Sequence, residues 1–160
     1  MSRTRRCNGV VVEGVGSLVI GAGGVARGHR LLLADAGLGE LILANRSADR
    51  AVALAADIQA SILSCKTQVC EAEAPDVAAG VDLIVNATTL GMQEGGTLPL
   101  NIAALEPTAT VAEVIVNPAI TPLLAAAAGR DCAIVSGIEM LKPQPRLAAE
   151  FFGLRSNQEK

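Results

Sequence analysis

Short aliphatic runs alternate with amphipathic stretches along almost the whole chain. The runs are Ser17 to Ile20, Glu40 to Ala44, Ser61 to Val69, Asp82 to Asn86, Val111 to Val116 and Cys132 to Ser136. Between them the spacing predicts helices at Gly24 to Ala36, Ala48 to Gln59, Asn101 to Leu105 (a short one), Pro122 to Gly129 and Lys142 to Phe152. Strands that alternate with helices are joined by crossovers, so neighbouring strands run the same way and right-handed connections put helices on both faces. The expected fold is a doubly wound α/β domain of six mainly parallel strands over residues 17–153, between a poorly defined segment 1–16 and a polar tail 154–160.

The first strand runs straight into Gly21-Ala22-Gly23-Gly24-Val25-Ala26, at the opening of the first predicted helix. A glycine turn at that junction lets backbone approach a pyrophosphate, whose charge is met by unpaired amides and the positive helix end, as in Rossmann-like domains. The second strand then supplies the discriminator between cofactors. NAD sites usually place a carboxylate there to hold the ribose hydroxyls, whereas this strand ends in Asn45-Arg46-Ser47, with Arg50 one helical turn further and no acidic residue beside Arg46. Guanidinium groups there would attract a 2'-phosphate. The expected cofactor is NADP(H).

Composition narrows the partners. At 160 residues the chain is long enough for one domain with a substantial core, and its 51% hydrophobic content includes no Trp or Tyr and only Phe151 and Phe152, so the core is aliphatic. The net charge of -3 gives no broad basic field for nucleic acid, which leaves local arginines to bind a small anion. Cys7, Cys65, Cys70 and Cys132 are scattered, with no C-x-x-C pair and no histidine cluster, so the expectation is reduced intracellular thiols and no metal. Arg3 to Arg6 followed by apolar residues faintly imitates a secretory signal, but Glu13 interrupts it, and no apolar run reaches the roughly 20 residues that span a bilayer. A cytoplasmic protein without membrane contact is expected.

Three further loops fall at the carboxyl ends of predicted strands, where such sheets bind ligands. They are Asn86-Ala-Thr-Thr-Leu-Gly-Met92, Asn117-Pro-x-x-Thr-Pro-Leu-Leu124 and Gly137-x-x-Met-Leu-x-x-Gln144. By themselves Asn86 and Thr88 need only cap a turn. For acid-base chemistry, Lys142 is the only lysine near the expected crevice and reads as a solvent-exposed side chain, while His29 shares a helical face with Val25, Leu32 and Ala36 and reads as packed. No catalytic residue is assigned.

With these motifs in order over residues 17–153, the chain resembles the shikimate dehydrogenases and their quinate-using relatives, and specifically their carboxyl-terminal NADP-binding half. The match takes in the glycine turn followed by Arg27, Asn-Arg-Ser-x-x-Arg at Asn45 to Arg50, and the three loops just named. The resemblance implies pyrophosphate contacts from Gly23 and Gly24, 2'-phosphate contacts from Asn45, Arg46 and Arg50, contacts near adenosine and ribose from Ala87 and Thr88, and a nicotinamide shelf from Gly137 and Met140. The cofactor-binding set marked by the motifs is Gly21, Ala22, Gly23, Gly24, Val25, Asn45, Arg46, Ser47, Arg50, Asn86, Ala87, Thr88, Gly137 and Met140, with Gln144 facing substrate hydroxyls. Two departures qualify it. Val116 stands where the family has a tyrosine, and the upstream half that carries the family's catalytic lysine and aspartate does not precede the first strand.

The implied function is therefore the NADP(H)-binding part of an oxidoreductase whose family reaction interconverts shikimate and 3-dehydroshikimate. A shikimate-like molecule would be a ligand only with a substrate domain supplied. Alternatives are a free-standing, non-catalytic NADP-binding module, or the cofactor subunit of a split enzyme that pairs with a partner chain or forms a homodimer. Glutamyl-tRNA reductases share a similar Asn-Arg-Thr strand end but resemble neither the Thr-Pro-Leu-Leu segment nor the Met-Leu-x-x-Gln loop.

Overall fold

Continuous apolar runs such as Leu18-Val-Ile20 and Leu41-Ile-Leu-Ala44 suit strands that are covered on both faces, and the sheet they form has that character. A computed structural model of the protein describes residues 4–7, 10–13, 16–24, 40–61, 66–93 and 95–142. Its main sheet holds β3 (Gly16–Ile20), β4 (Glu40–Ala44), β5 (Lys66–Cys70), β6 (Leu83–Asn86), β7 (Thr110–Glu113) and β8 (Ala133–Val135). They lie in the order β5-β4-β3-β6-β7-β8, and every pairing is parallel. Chain order reverses between β3 and β6, and a crevice opens there at the carboxyl ends. The expected α/β architecture is the observed one. Ahead of it, β1 (Thr4–Cys7) and β2 (Val10–Glu13) form a separate antiparallel pair within the segment to which the sequence assigned no element.

Side chains alternate across the sheet, so successive residues of one strand serve different layers. Leu18, Ile20, Ile42, Ile84 and Val111 join one buried cluster with Leu123, Leu124 and Ala127 of α2 (Pro122–Ala128). Val19, Leu41, Leu43, Val85 and Ala112 join the other, with Ala51, Leu54, Ala55 and Ile58 of α1 (Ala48–Ser61). Each fully buried leucine or isoleucine contributes about 1.5–3 kcal/mol relative to exposure. The sheet is thereby held rigid between two aliphatic layers, and its carboxyl edge is a fixed platform for loops.

Several boundaries differ from expectation. The third strand begins at Lys66, and Ser61 closes α1. The run from Val111 to Val116 is strand only as far as Glu113: the Val114 N–H still reaches the Asn86 carbonyl at 3.2 Å but is shared with the Glu113 carboxylate, to which the Ile115 N–H also turns. The stretch from Asn101 to Leu105 is a single 3-10 turn, Ile102–Ala104, capped by the Asn101 side chain. The loop after β8 is already helical, as α3 (Gly137–Leu141). Among the cysteines, Cys132 is a buried free thiol as expected, but Cys70 is held in a disulfide. Pairing depends on where the fold carries each Cβ, which spacing in the sequence does not reveal. The expected helices at Gly24 to Ala36 and Lys142 to Phe152 fall almost entirely outside the described residues.

Candidate functional site

Gly21 leaves β3 with its N–H donated to the Ala44 carbonyl at 2.7 Å and with φ at 109°, a conformation that favours glycine. A Cβ there would come 2.9 Å from the Ala87 carbonyl oxygen and 3.1 Å from Thr88 Cγ2. The glycine turn and the loop after β6 therefore lie directly against each other. Gly23 and Gly24 differ: both are exposed, and a Cβ on either would meet nothing within 4 Å among the described residues. Among the described residues no packing contact requires glycine at these two positions, and the space beside them is open.

β4 ends at Ala44, and the Asn45 side chain then donates from Nδ2 to the Ser47 carbonyl at 2.9 Å, closing the tip that opens α1. Arg46, Ser47 and Arg50 are exposed, and among the described residues neither guanidinium has a hydrogen-bond or ion-pair partner. Asn45 and Arg46 line two adjoining clefts of about 340 and 480 Å³, the larger of which reaches past Ile20 and Thr88 to Pro99. The fold adds what the sequence did not suggest: Glu73 lies on the walls of both clefts and Glu71 on the smaller. Arg46 has no acidic neighbour in the chain but has acidic neighbours in space.

Across the switch point the polar groups are buried and satisfied. Glu113, at the end of β7, is fully buried. One carboxylate oxygen, Oε2, accepts from Asn86 Nδ2 at 3.0 Å and from Thr121 Oγ1 at 3.1 Å, while Oε1 accepts from the Val114 and Ile115 N–H groups at 3.0 and 3.4 Å. Burial pushes its carboxyl above the ordinary carboxylate range, and the hydrogen bonds pull the other way less strongly. Asn86 in turn donates to the Leu90 carbonyl at 3.1 Å and accepts from the Thr88 N–H and hydroxyl at 3.1 and 2.7 Å. Thr121 caps α2 through the Leu124 N–H at 3.3 Å.

Gly137 is buried where the chain enters α3, and a Cβ there would overlap the Ile115 carbonyl. Ser136 and Glu139 close a capping box around that helix start, and these bonds hold the Glu139 carboxyl below its ordinary range. Met140 is half-buried and packs against the core layer under α1.

The candidate residues thus divide. Asn45, Arg46 and Thr88 line one open crevice, with Gly21 and Ala87 set against Thr88 behind its wall, whereas Asn86 and Gly137 belong to a buried brace around Glu113. Arg50, Gly137 and Met140 line neither arginine cleft. Val25 and Gln144, with Ala26, Arg27 and His29, lie outside the described residues. Lys142 is exposed at the carboxyl cap of α3, as its sequence context suggested. Among the described residues no group of histidine, cysteine and carboxylate side chains could hold a metal, and no helix is long and apolar enough to cross a membrane. Sequence reasoning missed Glu113 and Thr121. Their signals were an acid inside the apolar run from Val111 to Val116 and a threonine directly before a helix-opening proline.

No family model matches the chain. Among curated relatives, the shikimate dehydrogenase (NADP(+)) of Paramagnetospirillum magneticum is 46% identical over 126 residues, which are 79% of this chain and 44% of that protein. A shikimate 5-dehydrogenase from Listeria monocytogenes, solved with shikimate and NAD, superposes with a TM-score of 0.79 at 28% identity, covering 89% of this chain and 52% of that one. A shikimate dehydrogenase solved with NADP+ superposes with a TM-score of 0.75 at 30% identity, covering 91% of this chain and 52% of that one. The chain spans about half the length of the curated relatives it matches.

Proposed function

We propose, on the premise that the chain belongs with the shikimate dehydrogenases over about half of their length, that it binds NADP(H) as the cofactor part of such an oxidoreductase. The observation that carries this reading is Arg46 at the carboxyl end of β4, exposed, without a partner among the described residues, and set on the wall shared by two clefts beside the glycine turn. In support, one curated relative carries NADP(+) in its name and one solved neighbour holds NADP+.

In this reading Gly23 and Gly24 admit the pyrophosphate, and Asn45, Arg46 and Arg50, with Ser47 at the tip, hold the 2'-phosphate. Gly21 fixes the turn that Ala22 continues, and Ala87 and Thr88 flank the adenosine end with Asn86 buried behind them, holding Thr88. Gly137 and Met140 support the nicotinamide ring, and Gln144 faces substrate hydroxyls. The bound cofactor supplies the hydride. The protein's own part is to orient it and to keep the ring at the edge formed by β7 and β8.

The family reaction, shikimate + NADP+ = 3-dehydroshikimate + NADPH, belongs to this chain only in concert with groups that act on the reacting oxygen, which the resemblance assigns to the half of the relatives that the chain does not span. A cytoplasmic location and a second polypeptide, either another copy or a partner chain, complete the proposal. Calorimetric titration of the purified chain with NADP+ and with NAD+ tests it. Tighter binding of NADP+ is expected, and equal affinity, or none for either, overturns the assignment.

A further inference from the structure

One buried carboxylate touches the roots of the loops after β6 and β7 and, through Ile115, the start of α3. Glu113 holds Asn86, at the start of the loop after β6, and Thr121, at the start of α2, through Oε2. Through Oε1 it holds Val114 and Ile115, and the Ile115 carbonyl is the surface on which Gly137 closes. Because a carboxylate only accepts, it also decides which end of the Asn86 amide faces it. Nδ2 turns to Glu113, so Oδ1 is left to receive the N–H and hydroxyl of Thr88, and Thr88 Cγ2 stands against the Gly21 turn.

We infer that Glu113 is the positioning residue of the cofactor site, setting the loops after β6, β7 and β8 in the one mutual arrangement that holds the nicotinamide end of the dinucleotide. The inference rests on the NADP(H) reading above and adds to it a residue that touches no ligand. Satisfying a buried carboxylate with four donors from three chain segments leaves the loops little freedom to shift separately. A neutral amide in its place has one oxygen and one NH2, so it would turn a donor either on Asn86 Nδ2 and the Thr121 hydroxyl or on the Val114 and Ile115 N–H groups, and the loop on that side would have to rearrange. The 2'-phosphate contacts would feel this less, because Asn45 and Arg46 stand on β4 and α1 and no hydrogen bond among the described residues ties them to Glu113, so a ligand held mainly by those contacts loses only the share that Ala87 and Thr88 contribute.

The test compares two ligands on the purified full chain. NADP+ has both ends, and adenosine 2',5'-bisphosphate has only the end that Arg46 would read. Glu113→Gln is expected to weaken NADP+ at least tenfold and adenosine 2',5'-bisphosphate threefold or less. Equal losses for the two ligands, or no loss, overturn the positioning role, whereas a wild-type chain that binds neither ligand overturns the NADP(H) reading and this inference with it. Should Glu113→Gln not fold, the wild-type chain still decides by amide NMR: Val114, Ile115 and Gly137 are expected to shift with NADP+ and to stay in place with adenosine 2',5'-bisphosphate. Shifts with both ligands, or with neither, count against it.

Discussion

The two halves of the sheet end in loops of opposite character. Where β4 and β5 end, Arg46, Arg50, Glu71 and Glu73 are all exposed, and the tip is tied by one short bond from Asn45 to Ser47. Where β6 and β7 end, Asn86, Glu113 and Thr121 are fully buried and bonded to one another. The exposed residues of that second half include a set of large apolar ones, Leu90, Met92, Val116, Ile120, Ile138 and Leu141. The first half keeps its polar groups for something outside the chain, and the second uses them internally. A substitution in the first half should therefore change binding and leave the fold alone. In the second half it should change the fold, and binding through it.

The largest expected effect is Gly137→Ala. The added methyl would occupy the place of the Ile115 carbonyl, which is backbone braced by Glu113, so α3 must move away from β7. Overpacking of this kind costs about 3 kcal/mol. Urea unfolding followed by circular dichroism measures it, and an unchanged midpoint would show that the second half is looser than its hydrogen bonds suggest. Next comes Arg46→Ala, with the contrary signature. A charge-assisted bond to phosphate is worth roughly 1.5–3 kcal/mol, so NADP+ affinity should fall roughly tenfold to a hundredfold while NAD+ affinity and the unfolding midpoint stay put. If the midpoint falls as well, the division between the halves fails on its exposed side.

Acidity separates two carboxylates within the second half. Glu113 has its folded pKa raised by burial, so its contribution to stability is fully present below the unfolded value, near 4.5, and is lost as pH rises through the folded value. Glu139 has its folded pKa lowered by the bonds to Ser136, so its contribution is present above 4.5 and is lost as pH falls through the folded value. Comparing each glutamine variant with wild type at pH 7 and again near pH 4.5 should move the two stability differences in opposite directions. Acidification favours wild type over Glu113→Gln and disfavours it relative to Glu139→Gln. Movement in the same direction would mean that burial does not dominate at Glu113.

The same contrast explains what the sequence disclosed. The order of strands and the arginine tip were legible because both are local: aliphatic runs form strands wherever crossovers repeat, and Asn45, Arg46 and Arg50 lie within one turn of a strand end. The start of α2 was legible too, since Thr121 and Pro122 are a cap and a first helical residue. The brace was not. Asn86 and Glu113 are 27 residues apart, and only the parallel pairing of β6 with β7 sets them side by side. Nothing local marked Glu113 beyond a charge in an apolar run, and the strand ends at that charge, three residues before the run does. Glu73 escaped for the same reason, because β4 and β5 are paired in the sheet although Arg46 and Glu73 are distant in the chain.

Glu73 offers the smallest effect, and a selective one. Its carboxylate shares both cleft walls with Arg46, so a dianionic 2'-phosphate drawn to the guanidinium also meets a like charge. The side chain is exposed and water screens it, which limits the repulsion to a few-fold in affinity. Glu73→Gln should tighten NADP+ about twofold to fivefold at low salt and leave NAD+ unchanged. The gain should shrink as ionic strength rises, because screening shortens the reach of exposed charges to about 8 Å at 0.15 M. A gain shared by NAD+ would place the carboxylate beside the pyrophosphate or adenine, and a gain indifferent to salt would point to a changed contact instead of a removed charge. A salt-sensitive gain confined to NADP+ would mean that the open half holds its arginine in check with an acid from the turn after β5, in the way that the closed half holds its loops with one.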